Sequence, residues 1–235
     1  MRPWSDRPIV DCGEPLMALP PALTRLEPHP YVAAGAPYGA GADPFQLRSG
    51  VLARLLQAQA DLQTRQTDLC LAIFDAWRPL AVQAYMVEHA VDAECSLRGT
   101  DRDDPDQMAE VRAAVNRFWA APSPDPATPP PHSTGSAVDL TLASRSDGVP
   151  LAMGGAIDAI DVISEPDHYA AAPVGTEQRV WHERRQLLAS VMGNAGFVQH
   201  PNEWWHFSHG DQMWAWQTDA DQAIYAGAPS KALTA

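Results

Sequence analysis

Two short segments concentrate the side chains that can do chemistry in this chain. The first, residues 132–139, reads His-Ser-Thr-Gly-Ser-Ala-Val-Asp, and the second, residues 203–206, reads Glu-Trp-Trp-His. A catalytic zinc ion takes three nitrogen or oxygen ligands from a protein and keeps one position open for water. His132, Asp139 and His206 would supply such a set, which leaves Glu203 to take a proton from the attacking water.

The spacing inside the two segments constrains this hypothesis. Residues three apart in a regular strand point to opposite faces, so Glu203 and His206 can share a site only if a turn or bulge at 201–204 rotates Glu203 inward. Gly135 permits a tight backbone between His132 and Asp139, which would bring both towards one metal. Each segment alone is a weak signal, because most histidines pack in the core or lie on the surface. Their joint presence favours a metal centre.

Hydrophobic periodicity and turn residues predict the elements that must position these segments. Helices are predicted over 46–66, 79–95, 105–119 and 176–194, and strands over 69–75, 136–142, 197–200 and 204–208. Residues 121–131 and 146–175 are predicted loops, the second long enough to be functional. The proline-rich residues 1–45 are predicted to form an arm packed on the core, and the tail after 228 is predicted to fray. Strands and helices alternate without a βαβ rhythm, which predicts a single α+β domain over 1–235, with a small antiparallel sheet, helices packed around it and the zinc site at the sheet.

Charge and composition exclude several classes of function. The formal net charge is −13 and no basic stripe offsets it, so we expect no nucleic-acid partner. The sequence contains no run of about 18 apolar residues, so we expect no membrane span. Its first residues do not lead into the continuous apolar stretch of a signal peptide. Three cysteines fit no zinc motif and no disulfide framework, which favours the reducing cytoplasm. The oligomeric state is left open.

Four segments resemble the signature segments of one family, the zinc D-alanyl-D-alanine dipeptidases. Besides the two above, they are 75–79 (Asp-Ala-Trp-Arg-Pro) and 153–158 (Met-Gly-Gly-Ala-Ile-Asp), in the family's order along the chain. The superfamily also includes peptidoglycan carboxypeptidases and the hedgehog signalling domain. The resemblance implies one zinc ion per chain, held by His132, Asp139 and His206, with Glu203 as the general acid and base.

The other two segments carry implied roles in binding the substrate. Arg78 would stabilise the oxyanion of the tetrahedral intermediate, and Asp158 would pair with the free amino group of a small dipeptide. One position departs from the family pattern. Resistance-type members carry a serine two residues before the first zinc histidine, where it helps to hold the substrate carboxylate, and this chain has Pro130 there. Proline has no hydroxyl and no N–H, so how the carboxylate is recognised stays open, and with it the preference for D-Ala-D-Ala.

The motifs and the family resemblance are compatible with three functions. The first is hydrolysis of small dipeptides, with D-Ala-D-Ala foremost. The second is carboxypeptidase or endopeptidase action on larger peptidoglycan peptides, which calls for an open groove rather than a closed pocket. The third is a metal-bearing binding module without catalysis, which the presence of both Glu203 and Arg78 disfavours.

Overall fold

A five-stranded sheet organises the fold in the computed structural model, which describes residues 2–39 and 42–228. In spatial order its strands are β2 (Thr24–Arg25), β4 (Leu69–Asp75), β5 (Ala137–Ser144), β7 (His206–Ser208) and β6 (Val198–Gln199). The pairs from β4 to β6 are antiparallel, whereas β2 runs parallel to β4. A separate ribbon pairs β1 (Leu16–Ala18) with β3 (Gln46–Arg48). The predicted α+β class is confirmed, with one parallel pair at the edge of the sheet.

Six α-helices surround the sheet within the described residues. They are α1 (Pro30–Ala33), α2 (Ser49–Arg65), α3 (Leu80–Arg98), α4 (Pro105–Phe118), α5 (Glu177–Asn194) and α6 (Gln212–Gln217). The start of α4 follows the sequence signal: the Asp104 side chain accepts from two backbone N–H groups and Pro105 takes the first turn. The prediction of a helix from residue 46 was wrong for three residues. Gln46–Arg48 pairs with β1 instead, and the helix begins at Ser49.

Two hydrophobic clusters hold these layers together. The first buries α2 and α5 against the sheet and includes Leu55, Leu140, Val191 and Trp205. The second cluster lies between α3 and α4 and also includes residues of the N-terminal arm. Its members are Tyr31, Tyr38, Val82, Met86, Val87, Ala90, Val91, Cys95, Val111, Val115, Phe118 and Trp119. Trp205 of the first cluster lines the same pocket as Phe118 and Trp119 of the second. The candidate site therefore lies where the two clusters meet.

The two predicted irregular regions have different roles. The N-terminal arm packs on the core through buried Leu19, Leu23 and Tyr31. The 146–175 segment is a long loop whose helical content is one short 3₁₀ turn, Val162–Ser164. No helix within the described residues combines the length and the apolar character needed to cross a membrane. The predicted fraying of the tail after 228 falls outside the described residues.

Candidate active site

The register of the sheet brings the predicted metal ligands together. Asp139 on β5 lies directly opposite His206 on β7, and Asp75 on β4 lies opposite Asp139 from the other side. His132 sits in the 3₁₀ turn Pro131–Thr134, immediately before β5. That turn ends at Gly135, whose φ of 74° is a left-handed conformation that suits glycine. Three side chains from distant parts of the sequence therefore meet at one end of three neighbouring strands.

The distances between the three candidate ligands fit a zinc ion. His132 Nε2 lies 3.2 Å from His206 Nδ1 and 3.1 Å from Asp139 Oδ2, and His206 Nδ1 lies 3.0 Å from Asp139 Oδ1. Ligand atoms about 2.0–2.1 Å from a tetrahedral zinc ion are about 3.3 Å from one another. All three residues are buried, and two nitrogens with one carboxylate oxygen form a donor set that zinc accepts. The residues present thus fit the metal that the sequence predicts.

Surrounding contacts prepare His132 and Asp139 for this role. His132 Nδ1 donates to the carbonyl oxygen of Ala76 at 2.7 Å, which leaves the Nε2 lone pair free to face the other two ligands. Burial acts to raise the pKa of Asp139, but the imidazoles of His132 and His206 outweigh it and hold that pKa well below its ordinary value. The aspartate is therefore ionised at neutral pH, as a metal ligand must be.

Glu203 lies in the turn between β6 and β7, as the spacing argument required. The turn is closed by the backbone N–H of His200, which donates to the carbonyl of His206, and by that of Glu203, which donates to the carbonyl of His200. Glu203 Oε2 then lies 3.7 Å from His206 Nδ1. Burial, together with the charge of Asp139, raises the pKa of Glu203 to about 8. Its buried Oε1 makes no hydrogen bond, although His200 Nδ1 lies 3.3 Å away, so this oxygen is available for a water or a substrate.

Arg78 is fixed by four neighbours before any substrate arrives. Its Nε and Nη2 donate to Asp75 Oδ2 at 3.0 and 2.7 Å, and its Nη1 donates to Gln83 Oε1 at 2.8 Å. Nη2 also donates to the Tyr31 hydroxyl at 3.2 Å and to Asp139 Oδ2 at 3.4 Å. A buried guanidinium held in this way needs no reorganisation to stabilise a negative charge that develops beside it.

Asp75 is the anchor of this arrangement, a role that the sequence did not reveal. Its Oδ1 accepts from His29 Nε2 at 3.1 Å and from the Tyr38 hydroxyl at 3.2 Å, while Oδ2 holds Arg78. The β4–β5 register shifts between Ile73 and Asp75, and irregularities of this kind re-aim side chains beside active sites. The N-terminal arm thus contributes structure to the site.

Asp158 enters the pocket from the long loop. The Tyr31 hydroxyl donates to its Oδ2 at 2.7 Å, and its backbone has a φ of 66°. A left-handed backbone is uncommon outside glycine, although Asp adopts it more readily than most residues. Burial, with a further contribution from Asp139, raises the pKa of Asp158 to about 7. The structure therefore brings all six residues predicted for the site to one pocket, and the role of each remains a prediction.

Among the other residues that line the pocket, His200 and Arg2 had no role assigned from the sequence. His200 is buried and its Nδ1 lies 3.3 Å from Glu203 Oε1, outside the group of three candidate ligands. Arg2 Nη1 donates to His200 Nε2 at 3.2 Å, and Arg2 Nη2 donates to the Phe118 carbonyl at 3.3 Å. No motif, periodicity or spacing links Arg2 to residues almost 200 positions away. His209 points away from the site and bonds the Gly196 carbonyl.

The free space at the site is small, and a larger cavity adjoins it. The pocket volume is about 30 Å³, which has room for only a couple of water molecules. The adjoining cavity has a volume of about 560 Å³. Four residues line both: Arg2, Trp119, Ala120 and Pro131. Arg2 therefore lies between the small site and the larger cavity beside it.

Comparison with known proteins identifies the family. A family model described as D-Ala-D-Ala dipeptidase matches residues 25–225. The D-alanyl-D-alanine dipeptidase of Synechocystis sp. (strain ATCC 27184 / PCC 6803 / Kazusa) is 43% identical over 226 residues, covering 92% of this chain and 90% of the relative. That of Streptomyces coelicolor is 32% identical over 157 residues, covering 66% of this chain and 70% of the relative. A solved structure of the vancomycin resistance D,D-pentapeptidase VanY in complex with Zn(II) aligns with a TM-score of 0.45 at 15% identity, covering 79% of this chain and 83% of that one. The family predicted from four short segments is confirmed: this chain belongs to the D-Ala-D-Ala dipeptidase family and is a zinc-dependent metallopeptidase.

Proposed function

We propose that this protein hydrolyses small dipeptides, with D-Ala-D-Ala as its main substrate. The observation that carries the proposal is the meeting of His132, Asp139 and His206 within 3.2 Å of one another, with Glu203 beside them. Relatives named as D-alanyl-D-alanine dipeptidases support the choice of substrate. The cellular role that fits this activity is the turnover of peptidoglycan precursors or fragments.

In this mechanism the residues divide the work of hydrolysis. A zinc ion held by the two histidines and the aspartate would supply a Lewis acid that lowers the pKa of water towards about 7. Glu203 takes a proton from the attacking water and later gives it to the leaving nitrogen. Arg78 stabilises the negative charge that develops on the carbonyl oxygen, because its guanidinium is already fixed at the edge of the pocket.

Asp158 accounts for the preference for a free amino terminus. A carboxylate inside an enclosed pocket favours a cationic partner, and the α-ammonium group of a dipeptide is such a partner. The Tyr31 hydroxyl links Asp158 to Arg78, so the amino group and the reacting carbonyl would be held side by side. An N-terminal extension of the substrate would displace the ammonium group from this carboxylate.

We expect a dipeptidase rather than an enzyme that cuts larger peptidoglycan peptides, because a relative of which this chain covers 90% is named as a dipeptidase. Arg2, Phe118 and Trp119 close over a space of about 30 Å³, so even a dipeptide can enter only when some of these side chains move. The three cysteines, all within the described residues, are unpaired thiols, which supports a cytoplasmic location. We further propose that residues 1–235 act as a single domain, since arm, sheet and long loop all contribute to one pocket.

Alanine release from D-Ala-D-Ala tests the proposal. The zinc-loaded protein should release alanine, and treatment with a chelator should abolish release until zinc is restored. N-acetyl-D-Ala-D-Ala serves as the control, because acetylation replaces the charged ammonium group by a neutral amide, and it should be a poor substrate. Faster hydrolysis of a pentapeptide ending in D-Ala-D-Ala would favour the carboxypeptidase alternative. No release from any dipeptide by the zinc-loaded protein would overturn the proposed function.

A further inference from the structure

A continuous series of polar contacts crosses the pocket from a negative end to a positive end. Each neighbouring pair in the series lies between 2.7 and 3.7 Å apart. In order, its members are Asp158, Tyr31, Arg78, Asp139, His206, Glu203, His200 and Arg2. The candidate metal ligands and Glu203 occupy the middle of the series. The series therefore begins at a carboxylate and ends at a guanidinium.

A free dipeptide has the same polarity, since at neutral pH it carries an ammonium group at one end and a carboxylate at the other. If Asp158 takes the ammonium group, the carboxylate needs a cation at the opposite end of the pocket. Two described lining residues are permanently cationic, Arg78 and Arg2. Arg78 already donates to Asp75 and Gln83 at 3.0 Å or less. Arg2 makes only two longer contacts, at 3.2 and 3.3 Å, so its guanidinium has donors to spare.

The position of Arg2 also suits the leaving half of the substrate. Glu203 delivers a proton to the leaving nitrogen, and in an amino acid the carboxylate is separated from that nitrogen by a single carbon atom. Arg2 reaches the Glu203 side of the pocket through His200, not the Asp158 side. A cation placed there can reach the carboxylate while the nitrogen stays within reach of Glu203.

The segment that carries Arg2 is held against the site by packing. Trp4 is buried and its ring meets the His200 ring edge-on, with centroids 5.7 Å apart. The Arg2 guanidinium carbon lies 5.6 Å from the centre of the Trp4 ring. Pro130 lines the adjoining cavity together with Arg2 and has neither a hydroxyl nor an N–H to offer a carboxylate. A charged donor from the N-terminal arm can serve instead.

We propose that Arg2 binds the C-terminal carboxylate of the dipeptide and thereby makes a free C-terminus a requirement of the enzyme. This inference rests on the proposed function and extends it to a residue that determines specificity. Binding would exchange the two weak contacts of Arg2 for a paired interaction with a carboxylate, which arginine makes in a bidentate geometry.

Kinetics on D-Ala-D-Ala and on its C-terminal amide test the inference in the zinc-loaded full chain. Arg2→Ala should raise KM for the free dipeptide by about 10- to 100-fold, because hydrogen bonds between charged groups are lost. It should leave KM for the amide close to the wild-type value, and Arg2→Lys should recover part of the loss. Arg7→Ala is the matched control, since Arg7 belongs to the same segment and contacts Ala220 and Asp219 away from the pocket.

Two results would overturn the inference. One is an unchanged KM for the free dipeptide in Arg2→Ala. The other is an equal rise for dipeptide and amide, which would mean that Arg2 only closes the pocket wall. If the wild-type protein releases no alanine, the proposed function fails, and calorimetric binding of the two compounds then decides the role of Arg2. If the wild-type protein and Arg2→Ala then bind D-Ala-D-Ala with equal affinity, the proposed role of Arg2 is refuted as well.

Discussion

The active site has two halves that are built differently. In one half, Asp139 and His206 stand opposite each other on hydrogen-bonded strands, so the ladder between β5 and β7 sets their separation. In the other half, Asp158 and Arg2 lie on segments outside any described strand or helix and are held by side-chain contacts. On the proposed roles, the sheet would position the metal ligands and the turn beside it the proton-transfer group, whereas loops would position the two ends of the substrate. Substitutions in the first half should therefore lower the metal content and kcat, and substitutions in the second half should raise KM.

The largest effect is expected for His206→Ala in the sheet half. This change removes one of the three candidate metal ligands and leaves the buried His132 and Asp139 without their shared partner, so zinc, activity and thermal stability should be lost together. Zinc content, alanine release and a melting curve measure the three effects. His89→Ala is the matched control, because His89 is exposed on α3 far from the sheet. Full zinc occupancy in His206→Ala would refute the ligand assignment.

Glu203→Gln should separate catalysis from metal binding within the same half. The amide keeps the shape of the side chain but cannot accept the proton of the attacking water, so kcat should fall by about 10²- to 10⁴-fold. Zinc content should stay at the wild-type level, since Glu203 is not among the three candidate ligands. Glu183→Gln provides the control, as an exposed change of the same kind on α5.

The outcome for Glu203→Gln also bears on the alternative of a binding module. If the biological effect of the protein persists in a variant that retains zinc but no hydrolysis, catalysis is not its function. A kcat close to the wild-type value would instead remove Glu203 from the mechanism.

Asp158→Asn tests the loop half, and its effect should fall on KM. The neutral amide can still accept from Tyr31, but it no longer offers a charge to the ammonium group of the substrate. KM for D-Ala-D-Ala should rise by about 10- to 100-fold, with kcat changed much less. Asp161→Asn, three residues along the same loop, alters an exposed carboxylate that caps a short turn and serves as the control. A large fall in kcat at unchanged KM would mean that the two halves are not separable in this way.

The same division explains how much of the molecule could be predicted from its sequence. The sheet half could be predicted, because buried strands such as β4 are runs of apolar residues and because two short motifs contain all three candidate ligands. The contribution of the N-terminal arm to the site could not be predicted from the sequence. The parallel pairing of β2 with β4 and the contact between Arg2 and His200 join distant segments that share no periodicity or motif. Contacts of this kind depend on the assembled fold, not on local propensity.

A smaller effect on KM is expected for Gly154→Ala, which tests how rigidly the loop that carries Asp158 is held. Gly154 has a φ of 82°, and a β-carbon there would meet the rings of Tyr169 and Trp181 at 2.5 Å. Left-handed strain and overpacking should together reduce the free energy of unfolding by roughly 2–4 kcal/mol. Because Asp158 follows four residues later, KM should rise as well, though by less than in Asp158→Asn.

Gly175→Ala separates the backbone strain from the steric part of that effect. Gly175 lies on the same loop with a φ of 87°, but no atom outside its chain neighbours lies within 4 Å of the added β-carbon. It should therefore show the backbone strain alone, about 1–2 kcal/mol in a denaturant titration, with an unchanged KM. If the two variants lose equal stability, the rings beside Gly154 move aside at little cost. The loop would then be too compliant to fix Asp158 by itself, and the position of the substrate amino group would depend chiefly on the bond from Tyr31, which packs between α3 and α4.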